Sequence, residues 1–138
     1  MRQAQAAYEF MMIFFILTLG FTFWIAFSTS FQENLQQQQN LDLMEDFAFG
    51  LKHELFVVAQ MPQGFTQIIE LTETISGNKY EIASQSYTSN DYNFSTITIN
   101  NTDIGFYTHF DVPYLNDTIK KGKNTFIKKE NQIGVIHD

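Results

Sequence analysis

The sequence predicts an α+β protein, with one long N-terminal hydrophobic helix followed by a small antiparallel β-sheet domain of about six strands. Three observations carry that expectation. Eighteen consecutive uncharged residues, Phe10 to Phe27, lie near the start of the chain. A second helical pattern then places apolar side chains at three- and four-residue spacing as far as Val58. Beyond Met61-Pro62-Gln63-Gly64 the apolar spacing changes from helical to every second residue.

The first run is apolar on all sides, so it is not one face of a soluble amphipathic helix. At helical rise its residues cover roughly 27 Å, close to the hydrocarbon thickness of a bilayer. Thr18 and Thr22 can return their hydroxyls to the preceding turn, and Trp24 lies near the outer end, where an indole favours the interface. Arg2 precedes the run, and no Lys or Arg follows it until Lys52. A bias of this kind leaves the N-terminus cytoplasmic and the C-terminal domain extracellular, in a single-pass membrane protein. A cleavable secretory signal is the competing reading. It lacks a small-x-small site directly behind the run, Ala26 and Ser28 coming nearest.

Ser28 to Asn40, with Gln36-Gln37-Gln38-Gln39, holds good helix formers and little apolar face. From Leu41 a stripe returns through Met44, Phe47, Ala48, Leu51, Leu55 and Val58. It marks an amphipathic part at about 41–59 that packs on the domain beyond. Residues 5–60 are thus expected to be helical, the membrane or assembly part covering about 10–27. Gly50 leaves open whether this helix is straight or kinked. Pro62 and Gly64 end it.

The head, 61–138, reads as strands at Phe65–Leu71, Lys79–Ser84, Phe94–Ile99, Ile104–Val112, Asn124–Lys128 and Gln132–Ile136. The first two are expected to be joined through Ser76-Gly77-Asn78, and Asn100-Asn101-Thr102-Asp103 to form a turn.

Charge and composition restrict function. There is no cysteine, which excludes disulfides and thiolate metal sites. The net charge of −7 gives no general attraction for nucleic acid. Lys120, Lys121, Lys123, Lys128 and Lys129 concentrate near the C-terminal end, either as a small anionic contact patch or as a charged strand edge that resists unwanted pairing. Asn93, Asn100 and Asn116 each begin an Asn-x-Ser/Thr triplet and are candidate N-glycosylation sites. His53, His109 and His137 lack metal-ligand spacing, and Lys121-Gly122-Lys123-Asn124-Thr125 lacks the Gly and the Ser/Thr of a phosphate-binding loop. Tyr80, Tyr87, Tyr92, Tyr107 and Tyr114 are either half-buried strand residues or an adhesive face. The sequence supports no catalytic residue, cofactor or metal, and no enzyme.

Gln5-Ala6-Ala7-Tyr8-Glu9-Phe10 followed by a hydrophobic helix resembles the class III signal peptide of archaeal type IV pilin-like proteins. The resemblance implies that a prepilin-type signal peptidase cuts between Ala4 and Gln5, removing 1–4 as a short leader and leaving the apolar helix in place. Gln5 becomes the first mature residue and Glu9 the fifth, whereas a cut before Gln3 would put Ala7 fifth. The family usually has Gly where Ala4 stands, and the only basic residue of this leader is Arg2. Met61–Phe65, Ile75–Ile82 and Lys121–Lys129 look like recurring features of the same group. A carboxylate among bundled helices is costly unless paired, and the α-amino group created by cleavage supplies a partner. The resemblance implies a structural subunit of a surface filament, meeting membrane lipid, the peptidase, and copies of itself or other pilin-like subunits, with adhesion as one use. The alternative is a monomeric membrane-anchored extracellular binding module.

Overall fold

The computed structural model describes residues 2–88 and 93–137, with side chains from Gln5 onward. Helix α1 spans Arg2–Gln60. It passes Gly50 without interruption, where nothing lies within 4 Å of an added Cβ. Pro62 has no N–H to continue the ladder and biases Met61 away from helical angles. The chain then turns through Pro62–Phe65, with Phe65 N–H donating to the Pro62 carbonyl at 3.1 Å and Gly64 at φ 89°. That positive angle at the third position is what this type of turn requires.

Among the described residues eight strands follow: β1 (Thr66–Leu71), β2 (Thr74–Ile75), β3 (Asn78–Lys79), β4 (Glu81–Thr88), β5 (Asn93–Asn101), β6 (Phe106–Pro113), β7 (Gly122–Lys128) and β8 (Ile133–His137). They form three antiparallel sheets, ordered β1-β7-β8, β2-β3 and β4-β5-β6. About six strands in one sheet was the expectation, and the difference has a local cause. Ser76 and Gly77 both take positive φ, 51° and 81°, and close the short β2-β3 hairpin by pairing Ile75 with Asn78. This turn therefore does not make β1 and β4 neighbours. β1 pairs with β7, from Thr66 opposite Ile127 to Leu71 opposite Gly122, and β4 pairs with β5. The lysine-rich β7 is consequently a central strand and not an edge. β6 begins at Phe106, later than expected, because the Asn101 side-chain oxygen accepts from Asp103 and Ile104 N–H and holds 101–104 in a turn.

The chain divides into two compact units, Met1–Gln39 and Asn40–Asp138. In the second, the stripe Met44, Ala48, Leu51, Leu55 and Val58 is buried in one cluster with Ile97, Ile99, Phe110 and Val112 of the β4-β5-β6 sheet. Leu71, Phe126, Ile133 and Val135 of the β1-β7-β8 sheet complete it. Phe47 packs edge-on against Tyr80, ring centroids 5.2 Å apart.

The segment between β6 and β7 ties the two larger sheets together. On one side, Leu115 N–H donates to Ser95 Oγ (2.8 Å), Ser86 Oγ donates to the Leu115 carbonyl (2.9 Å), and Ile119 N–H donates to Ser84 Oγ (3.1 Å). On the other, Leu115 bridges Ile133, Val135 N–H donates to Asn116 Oδ1 (2.7 Å), and Asn124 Nδ2 donates to the Lys120 carbonyl (2.7 Å).

Denaturant unfolding of single variants checks this packing. Leu55→Ala should cost about 2–5 kcal/mol through the cavity it leaves. Ser95→Ala should cost about 1–3 kcal/mol, because the buried Leu115 N–H loses its acceptor. Gly50→Ala, on an exposed and unobstructed helical site, should stabilise by about 1 kcal/mol.

Candidate functional site

Within the first unit, the run Phe10 to Phe27 is helical and apolar around its whole circumference. Phe14 is 64% exposed, Phe15 62%, Ile16 62% and Leu17 66%, consecutive positions that point in four different directions around the helix. An 18-residue window reaches a mean hydropathy of 2.3 with none of it buried, so the segment is long and apolar enough to cross a membrane. Its hydroxyls are turned inward, since Thr18 donates to the Phe14 carbonyl at 2.8 Å and Thr22 to the Thr18 carbonyl at 2.9 Å. Such back-bonding satisfies a polar group without water.

Gln5 and Glu9 sit one helical turn apart, and Gln5 Nε2 donates to Glu9 Oε1 at 3.3 Å. The helix thus brings together two of the residues singled out from sequence, and the donor to the carboxylate is a neutral amide. The side chain of Ala4 lies outside the described residues.

The three sequon asparagines occupy different settings. Asn93 is exposed at the start of β5, but its sequon partner Ser95 is fully buried and bonded to Ser86 and Leu115. Asn100 is half-buried in β5. Asn116 is exposed, with Oδ1 committed to Val135 N–H. The tyrosines separate in the same way. Tyr87 and Tyr107 are exposed, the former stacked on Phe94 with centroids 5.3 Å apart. Tyr114 is half-buried and Tyr80 is 2% exposed, while Tyr92 lies outside the described residues.

Tyr80 is part of a cluster that the sequence did not reveal. Its hydroxyl donates to the Thr72 carbonyl at 2.7 Å, and the Lys121 ammonium lies 4.6 Å from its ring centroid while donating to the Glu73 carbonyl at 3.2 Å. A cation over an aromatic face is attractive, more so when partly desolvated. Lys121 and Tyr80 are too far apart in the chain for any local pattern to link them. Burial, and secondarily the Glu73 charge, push the Tyr80 hydroxyl up to about 12 from its ordinary 10.0.

Comparison with protein-family models, curated proteins and solved structures finds no match to this chain.

The Tyr80 shift has a definite sign. The unfolded chain releases this proton near 10 and the folded chain near 12, so the contribution is complete below 10 and is lost as pH rises to 12. Unfolding measured at steps through that range should show the decline, and Tyr80→Phe should remove this share of it.

Proposed function

We propose that the chain is a structural subunit of a type IV pilus-like surface filament, processed before Gln5 and assembled through its apolar N-terminal helix. The observation that carries this reading is Glu9, an acid at the head of an otherwise uncharged helical run, four residues after Gln5. Among the described side chains its hydrogen-bond donor is the neutral Gln5 amide, which itself supplies no compensating charge. In lipid or among packed helices, a bare carboxylate costs several kcal/mol on the order expected for a buried ion. Cleavage before Gln5 supplies an α-amino cation within one turn, or from a neighbouring subunit. An incorrectly seated copy leaves both charges unpaired, so the pair enforces register.

The all-round apolar surface of the first unit supports the same reading. Its described apolar side chains are exposed, and lipid before assembly and helices of other copies afterwards both satisfy them. The head is then the exterior portion, carrying Asn93, Asn100 and Asn116 as glycosylation acceptors and available for adhesion. A membrane-anchored binding module has the same head and the same anchor, yet gives no role to the Gln5–Glu9 spacing.

The mature N-terminus separates these readings. Mass spectrometry of protein from the native membrane should find a chain beginning at Gln5, and an intact Met1 or an end near Ser28 removes the filament reading. Glu9→Ala should reach the membrane at normal levels and reduce filament yield by at least about tenfold, the factor that 1.4 kcal/mol represents.

A further inference from the structure

The fold builds a polar cleft from parts that are remote in the chain. Two adjoining depressions share Tyr80, Glu81 and Lys121. The smaller, of about 220 Å³, is bounded in addition by Lys79 and the Asn100–Asp103 turn. The larger, of about 520 Å³, continues along Ile82, Ala83, Ile119 and Lys120. Three of the eight basic residues of this acidic chain thereby converge on one surface. Lys79 arrives from the β3 strand, and Lys120 and Lys121 from the segment before β7.

Donors and acceptors are both present there. Asn101 is 2% exposed and its orientation is set, because Oδ1 accepts from Asp103 N–H at 2.9 Å and Ile104 N–H at 3.3 Å. Its Nδ2 is buried and has no hydrogen-bond partner among the described residues. Nδ2 is enclosed, so Asn101 shapes the wall of the smaller depression through its fixed orientation. Lys121 uses one N–H on the Glu73 carbonyl, and an ammonium has three. Glu81 and Asp103 contribute exposed carboxylates, which accept only.

We propose that this cleft binds an acidic saccharide, through one uronic acid unit. A sugar carboxylate pairs with the lysines, and its ring hydroxyls donate to Glu81 and Asp103. A neutral sugar leaves the lysine cluster unmatched. A small inorganic anion brings no hydroxyl donors and leaves the two carboxylates unpartnered. The mixture of both charges with amides and a hydroxyl matches a ligand carrying one carboxylate and several hydroxyl groups. Nothing in this assignment depends on whether the helix polymerises.

Calorimetric titration of the full chain in detergent micelles with trigalacturonate, at low salt, tests the site against maltotriose as the neutral counterpart. Trigalacturonate should bind saturably, and Lys79→Gln and Lys121→Gln should each weaken it at least about tenfold, as loss of one charge-assisted bond implies. Lys129→Gln, outside the cleft, should bind as the wild type does. Thermal unfolding of each variant reports whether it is folded, and Lys79, being exposed, keeps the test valid if Lys121→Gln is unstable. Absence of binding, equal binding of maltotriose, or an equal loss in Lys129→Gln overturns the proposal, the last by showing diffuse attraction in place of a site.

Discussion

The two larger sheets of the head share no strand, and the polar seam along Leu115–Lys120 is what makes them one structure. Ser84, Ser86 and Ser95 offer hydroxyls from one sheet, while Asn124 and the Ile133–Val135 backbone hold the segment from the other. An irregular segment buried between sheets must find partners for its N–H and C=O groups. Short serine and asparagine side chains provide them without filling the space needed by Ile97, Phe126 and Leu115. The Met44–Val58 stripe shares one buried cluster with residues of both sheets.

The single helix α1 obeys two different physical rules along its length. From Leu41 onward one face is apolar and buried, and the rest carries Asp42, Glu45, Asp46 and Glu54, as in a soluble protein. Among the described residues before Gln39 no side chain is buried, and the uncharged run presents phenylalanine and isoleucine in all directions. Burial of that surface removes a large apolar area from water, a stronger drive than any interaction in the exposed Gln-rich stretch. Hence the first unit calls for lipid or other helices, whereas the second has a core of its own.

These properties fit a subunit held in a membrane until it is built into a filament. The chemistry at the two ends is complementary in purpose. In the proposed filament Glu9 and Gln5 would set where one copy sits against the next, with the head facing outward. The proposed saccharide cleft at Tyr80 is distinct from the exposed Tyr87–Phe94 pair.

Much of the architecture was legible in the residues themselves. The uncharged run, the Met44–Val58 spacing and the Pro62 stop are local patterns, and a helix is stabilised by neighbours within four positions. Hydroxyl back-bonding at Thr18 and Thr22, and the Gln5–Glu9 contact, follow from the same geometry. The six longer strands were legible from alternation, although the β2-β3 hairpin was read as a plain connection between larger strands. Pairing was another matter. Bringing β1 to β7, or Lys79 and Tyr80 to Lys121, joins residues whose order in the chain carries no periodic signal. Sequence determined which segments are helix, strand or anchor, because short-range spacing decides them. Only the tertiary structure decided which strands meet, which tyrosine is buried and where the scattered lysines gather, because those depend on how the two sheets close over one helical face.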